Sequence, residues 1–298
     1  GALISRFQKA GIFFRKFKPL FKSKRFFLGR RLHHKVLVVD CWRCTVGGIN
    51  ISDRYNDTSQ ARAWLDWALY AEGEVAPALE KICKSYLRLR KKVASSFPEH
   101  RKPEQVCDVA IRVNDWLRGK RQIYYSYLRM FRDASSEIII MSAYFLPGRL
   151  FRKEIEKAAQ RGIRIKVVLT GEADVYMIKF AERYIYRWLL KNNIEIYEYQ
   201  KNVLHAKIAT CDRQLVTVGS FNVNNLSAFA SIELNLEVSH ANCASEVHER
   251  LEQIIERDCV RVTARKFNRQ FNMLSRLGHR ASYEIFRFLF FISTRQTG

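Results

Sequence analysis

The sequence predicts an α/β protein built from two related halves, and two observations carry that expectation. A short motif recurs at a constant offset of 172 residues: His33, Lys35, Asp40, Gly47-Gly48 and Asn50 return as His205, Lys207, Asp212, Gly219-Ser220 and Asn222. Between the copies, from residue 122 to residue 199, apolar runs of strand length alternate with stretches of helical spacing, the pattern of sheet strands separated by packing helices. A chain of 298 residues that is 48% hydrophobic is also long enough to bury a sizeable core.

The elements follow in chain order. Residues 12–17 read as a strand followed by a basic loop, or else the stretch from Ile12 to Leu28, where aromatics and cations interleave, suits a bilayer interface or equally stacking on nucleic-acid bases. Residues 36–39 form the strand after the first motif and 44–46 its return, and a helix is expected from residue 78 to about 93. Residues 95–104, with Pro98 and Pro103 and little apolar content, read as the join between a first half at 1–100 and a second at 101–298. Next come a helix over 122–134, a strand over 137–142, a helix over 150–160 ended by Gly162, a strand over 163–169, a helix over 175–191 and a strand over 194–199. The second motif occupies a strand over 204–209 with its return at 215–218, followed by a helix near 245–256 and a basic, less regular remainder. Only 32 residues precede His33, whereas the repeat calls for two more strand and helix units there, so the first half is expected to lack its N-terminal part.

In each motif the His and Lys stand two residues apart, and a strand puts such residues on one face. Asp40 and Asp212 have the opposite parity and read as structural anchors. Gly47-Gly48 and Gly219-Ser220 are expected to let backbone approach a ligand closely, and Asn50 and Asn222 to bring amide donors beside the His and Lys. His34 faces the other way, as a neighbour of the site. Two such clusters brought together present two imidazoles to one group, which suits in-line displacement at phosphorus. One ring attacks, the other protonates the leaving oxygen, and the Lys and Asn side chains hold the remaining oxygens. No metal ion or cofactor is needed for that chemistry. A carboxylate behind each ring would fix its tautomer, and the candidates are Asp66 and Glu233.

Composition bounds the partners. With 52 Lys plus Arg against 29 Asp plus Glu, the formal charge of +23 attracts polyanions, either nucleic acid or an anionic bilayer. The seven scattered cysteines fit a reducing compartment, and Cys41-x-x-Cys44 lacks the second pair that a zinc site would need. There is no apolar run of spanning length, so no transmembrane helix is expected.

At this point the chain resembles the phospholipase D superfamily, whose mark is HxKx4Dx6G(G/S)xN in duplicate, and within it the bacterial cardiolipin synthases. The resemblance rests on Arg31-Leu32-His33-His34-Lys35, on Gly47-Gly48-Ile49-Asn50-Ile51-Ser52-Asp53-Arg54-Tyr55, on Tyr144-Phe145-Leu146-Pro147 and on Leu204-His205-Ala206-Lys207. It implies two pseudo-symmetric phospholipase D-type halves, each a mixed β-sheet flanked by helices. It also implies a catalytic set of His33, Lys35, Asp40, His205, Lys207 and Asp212. His33 would be the nucleophile that forms a phosphatidyl-histidine and His205 the general acid, though the roles could be exchanged. Asn50 and Asn222 would hold phosphate, and Asp66 and Glu233 would orient the rings. The implied activity is phosphatidyl transfer from phosphatidylglycerol to a second lipid alcohol, with a phospholipase D-type hydrolase or a metal-independent nuclease as alternatives. The implied partners are anionic phospholipid and the membrane surface, ahead of nucleic acid and with no obligate protein partner. The implied place is the bacterial cell membrane, peripheral or interfacial, on the cytoplasmic side. The apolar stretch from Tyr283 to Ile292 is then expected to be an interfacial anchor or an acyl-groove wall, with a core helix as its plainer reading.

Overall fold

A β-branched run followed by a tight turn builds the first sheet. In this computed structural model, which describes residues 2–17, 31–59, 61–87, 106–172, 175–229, 231–270 and 273–295, α1 (Ala2–Lys9) precedes an antiparallel sheet of β1 (Val36–Val39), β2 (Arg43–Gly47) and β3 (Ala68–Glu72). The amphipathic α2 (Val75–Leu87) buries Ala76, Leu79 and Tyr86 on one face. Ala76 and Leu79 join Cys44 and Val46 in a common core.

The second sheet is larger and mixed. Its elements are β4 (Asp108–Asp115), β5 (Lys120–Arg121), α3 (Gln122–Asp133), β6 (Glu137–Ser142), α4 (Arg149–Gln160), β7 (Arg164–Thr170), α5 (Tyr176–Lys191), β8 (Glu195–Tyr199), β9 (Lys207–Cys211), β10 (Leu215–Gly219), α6 (Asn225–Phe229), β11 (Glu233–Ser239), α7 (Ala241–Asp258), β12 (Cys259–Val262), α8 (Ala264–Gln270) and α9 (Met273–Arg295). The strand order is β12-β8-β7-β6-β9-β10-β11-β4-β5, parallel across β6-β7-β8 and antiparallel elsewhere. Alternation along β6 shows why helices cover both faces. Ile138 and Ile140 pack in the core beneath α3, α4 and α5, whereas Ile139 and Met141 pack beneath α7. The first sheet lies over β10 and β11, so Val113, Leu234 and Leu236 of the second half complete the core of α2. Each fully buried Leu there contributes about 2 kcal/mol.

The two motif hairpins repeat each other in backbone detail. Asp40 and Cys41 have φ of 53° and 52°, and Asp212 and Arg213 have 52° and 54°. In each turn the residue after this pair donates back to the last strand residue, Trp42 N to Val39 O at 3.1 Å and Gln214 N to Cys211 O at 2.9 Å. Two successive left-handed residues define the turn that matches the twist of paired strands, and Asp tolerates that conformation better than most residues. Asp212 also accepts bonds from the backbone N–H groups of Ser135, Ser136 and Glu137 and from both serine hydroxyls, at 2.7–3.0 Å. It thereby ties the turn to the start of β6.

Several expectations change. Residues 12–16 form no strand; they follow α1 as irregular chain with Ile12, Phe13 and Phe14 exposed. The remainder after α7 is regular, not irregular, since β12 pairs with β8 and α8 and α9 follow. In α9, Tyr283 is buried against Tyr184 while Ile285 and Phe288 are exposed, so the helix is part core and part surface. The antiparallel first sheet carries no parallel pair among the described residues, and the mixed character belongs to the second sheet. The join at 95–104, the basic stretch at 18–28 and the end of the helix expected to reach residue 93 lie outside the described residues. All seven cysteines are free thiols. No helix among the described residues is long and apolar enough to cross a membrane.

The Asp212 anchor has a measurable sign. Hydrogen bonding to the charged form outweighs burial and holds its carboxyl well below the ordinary value. Its contribution is therefore complete above the unfolded-state pKa near 4 and lost as pH falls below it. In urea titrations at pH 7, Asp212→Ala should lower stability by about 2 kcal/mol. The gap between wild type and variant should begin to narrow at about pH 4 and go on narrowing well below about pH 3, as pH falls toward the depressed folded-state value.

Candidate active site

Each motif ring is held by a carboxylate from the other half. His33 Nδ1 lies 2.9 Å from Oε2 of Glu233, and His205 Nδ1 lies 2.7 Å from Oδ2 of Asp66. The backbone makes the same exchange, since His33 N donates to Ile232 O at 2.9 Å and His205 N to Leu65 O at 2.7 Å. Short parallel bridges, Leu32 to Ile232 and Leu65 to Leu204, fix both crossings. An ionised carboxylate can only accept, so each Nδ1 carries the proton and each Nε2 keeps its lone pair for chemistry. Glu233 is ionised despite complete burial. Desolvation pushes its carboxyl up, but the His33 ring, the Ser220 hydroxyl and Lys35 together hold it below the ordinary value.

The small residues of the motif serve these carboxylates. A Cβ on Gly48 would stand 2.3 Å from Asp66 Oδ1. The corresponding Ser220 donates its hydroxyl to Glu233 Oε2 at 2.5 Å. Gly47 and Gly219 leave room for the neighbouring strand backbones at Trp67 O and Leu234 O. The expected role of these positions is thus corrected: close approach is needed toward the carboxylates and their strands rather than toward a ligand.

The lysines share the ring face, as the two-residue spacing requires. Lys35 Nζ donates to His33 O at 3.0 Å. Lys207 Nζ is within 3.1 Å of both ring nitrogens of His205 and also donates to His205 O. The two clusters are electrostatically one site. Lys35 feels both Glu233 and Asp66, and His205 feels both Lys207 and Lys35. Burial lowers Lys35 to about 8 despite those two carboxylates. Burial also lowers His205, with the two ammonium groups acting in the same sense and Asp66 opposing.

The surroundings of the rings differ. His205 is 8% exposed and is enclosed by Trp64, Tyr55 and Tyr144, whose ring centres lie 5.9, 5.9 and 6.4 Å away. The His33 side chain is 35% exposed. Tyr55 links the halves: its hydroxyl accepts from the Asn50 amide at 3.2 Å and stands 2.9 Å from His205 Nδ1. Asn222 is buried at the end of β10, its backbone N–H bonded to Ser227 Oγ and its Oδ1 without a hydrogen-bond partner.

A family model described as cardiolipin synthase, PLD-like domain, matches residues 127–257. Those residues therefore carry a PLD-like domain. It is 30% identical to cardiolipin synthase B of Escherichia coli O6:H1 over 266 residues, which covers 87% of this chain and 64% of that protein. It is likewise 30% identical to cardiolipin synthase B of Salmonella typhi, over 88% of this chain and 65% of that protein. The chain therefore spans less than two thirds of these relatives. In fold it is similar to the crystal structure of phosphatidylserine synthase from Haemophilus influenzae Rd KW20, with TM-score 0.63, 13% identity, and coverage of 89% of this chain and 70% of that one.

Eight of the ten residues singled out from sequence fall at the ring cluster or the adjoining strand ends. Asp40 and Asp212 do not. They occupy the hairpin turns five residues beyond their lysines, about 16 Å along the strand, where they shape the turn and cannot reach the rings. The anchor reading holds for Asp212, Asp40 shares its turn conformation, and the place of both in a catalytic set is withdrawn. His34 is a neighbour as expected, packed edge-on against Tyr86 at 5.2 Å and lowered to about 4 by burial. Sequence reading missed the parts played by Tyr55, Trp64, Tyr144 and Ser220. The available signal was that Tyr55 and Tyr144 stand in the segments that carry the family likeness, and that Ser220 replaces Gly48.

Gly48 with Asp66, and Ser220 with Glu233, behave as matched pairs of small residue with short carboxylate and hydroxyl with long carboxylate. Gly48→Ser alone should displace Asp66, lowering the melting temperature and turnover of a phosphodiester. Adding Asp66→Glu should recover much of both losses, read as a double-mutant cycle with coupling above about 0.5 kcal/mol.

Proposed function

We propose that this chain is a phosphatidyltransferase that joins phosphatidylglycerol to a second lipid alcohol, giving cardiolipin and releasing glycerol. The observation that supports this reading most is the pair of imidazoles, each oriented by a carboxylate of the opposite half so that Nε2 is the reactive atom. Likeness to cardiolipin synthases over most of the chain directs that chemistry to phospholipid.

His33, the more accessible ring, attacks phosphorus through Nε2 while its Nδ1–H remains on Glu233. The bond from phosphorus to the glycerol oxygen breaks in line, and His205 Nε2–H gives its proton to that oxygen. His205 is held neutral by burial in the free protein; a phosphodiester anion beside it favours the protonated form that this step uses. Lys35 and Lys207, with Asn50 and Asn222, neutralise the charge that builds on the equatorial oxygens. In the second half-reaction His205 takes the proton of the acceptor alcohol as its oxygen attacks the phosphatidyl-histidine, and His33 departs with its lone pair restored. Water in place of the alcohol would make the same site a hydrolase. The setting that fits a charge of +23 is the anionic face of a bacterial membrane, contacted from the cytoplasmic side.

Incubation with phosphatidylglycerol vesicles should yield cardiolipin, and His33→Ala and His205→Ala should each reduce the rate by at least about a thousandfold. Wild type quenched in alkaline denaturant, where a nitrogen–phosphorus bond survives, should retain a labelled phosphatidyl group that His33→Ala does not. Cleavage of single-stranded DNA with inert lipid would overturn the reading.

Lys35 sets a pH limit. It is cationic below about 8 and loses its charge as pH rises through that value. Because kcat/KM reports groups of the free enzyme, it should fall above about pH 8, and Lys35→Arg, permanently charged, should move that limb to higher pH.

A further inference from the structure

A second concentration of cationic chemistry lies outside the histidine cluster, between α5, α8 and α9. A cavity of about 340 Å³ is lined there by Arg183, Tyr184, Arg187, Phe267, Arg276, Leu277, His279 and Arg280. Four of these eight residues are arginines and none is a carboxylate. The helices that frame it run side by side in the same direction, since Phe180 meets His279 at 5.3 Å and Tyr184 meets Tyr283 at 4.8 Å, four residues further along each.

One stripe of α5 places Tyr176, Phe180, Arg183 and Arg187 in succession at spacings of four, three and four, so they share a face. Tyr176 is 76% exposed, and Met177 and Phe180 are exposed beside it, as is Leu277 at the cavity wall. Apolar side chains thus stand in water next to guanidinium groups. This end of α5 is also the end nearest the histidines. α5 follows β7, whose last residue Thr170 accepts the backbone N–H of Leu204, the neighbour of His205, at 3.2 Å.

We infer that the α5–α9 face docks the protein on an anionic bilayer, with a lipid phosphodiester seated in the arginine cavity and Tyr176, Met177, Phe180 and Leu277 set into the headgroup region. The inference rests on the phospholipid reading of the histidine site and adds which face meets the membrane. Charge complementarity selects the occupant. Planar guanidinium forks match phosphate oxygens two at a time, and an exposed aromatic and aliphatic rim beside them suits an interface that is wet on one side and apolar on the other. A soluble anion would use the arginines but leave that rim in water. The exposed start of α5 at the active-site edge of the sheet would then bring the reacting rings toward the lipid.

The test is sedimentation of the full chain with vesicles of phosphatidylcholine containing phosphatidylglycerol, and with vesicles of phosphatidylcholine alone. Arg187→Gln with Arg280→Gln, both exposed positions, should weaken binding to the anionic vesicles about thirtyfold, taking roughly fivefold per arginine near the surface. Tyr176→Ser with Met177→Ser should weaken binding to both vesicle types. A charge-matched control, Arg129→Gln with Arg250→Gln on other exposed helices, should lose far less. Equal loss in the control would mean that net charge alone drives docking and would overturn the inference. So would unchanged vesicle binding in the arginine pair, or loss confined to inorganic phosphate or single-stranded DNA. Circular dichroism and thermal melting verify that the variants fold. Absence of cardiolipin formation by the wild type would strike the activity reading, whereas these binding results bear on the docking face alone.

Discussion

The structure depends on an exchange of buried carboxylates between the two halves. Glu233 is 1% exposed, as is the Asp66 side chain, and a lone carboxylate taken that far out of water costs several kcal/mol. Each is compensated in part by the Nδ1–H of the ring from the opposite half, beside the Ser220 hydroxyl at Glu233 and the Trp67 backbone N–H at Asp66. The rings in turn cannot settle without the backbone crossings at residues 32 to 232 and 65 to 204. The interface between the halves and the candidate active site are therefore one object. Small residues at Gly47, Gly48 and Gly219 belong to the same arrangement: a Cβ there would meet the adjacent strand at Trp67 and Ala68, the Asp66 carboxylate, and the adjacent strand at Leu234 and Asn235.

Duplication sets up the symmetry and substitution breaks it. Ser227, which corresponds to Tyr55 at the repeat offset of 172, lies in α6 and bonds to Asn222 and Asn224 beside it. Tyr55 instead reaches across to His205 and, with Trp64 and Tyr144, walls that ring off from solvent. Glu182 supports the wall from behind by accepting the Phe145 N–H at 2.7 Å. One imidazole is thus caged and kept neutral by burial while its counterpart stays reachable, which gives two copies of one motif different access to substrate.

Much of this was legible in the linear chain. The strand at 137–142 and the helices of the second half announce themselves because Ile138–Met141 are buried on both faces and the flanking helices have clean amphipathic spacing. The constant motif offset foretold a strand, a turn and a return strand in each copy, and the structure adds that both turns share two left-handed residues. The strand β11 was harder to see, since Glu233, Asn235 and Glu237 stand inside it. Those polar residues are buried because they bond His33, Phe221 and Arg112, partners that sequence does not reveal. Both orienting carboxylates were named from sequence. Which ring each one serves was not readable, because those bonds join residues 139 and 200 positions apart.

Those long sequence separations carry a consequence for how activity appears during folding. Local hairpins form early and close few loops, whereas the crossed bonds need nearly the whole chain in place. A polypeptide with one half assembled has a ring without its orienting acid and an acid without its ring, so it is chemically silent. The oriented pair of rings thereby becomes a mark of completed assembly: a nascent or partly unfolded molecule does not present it.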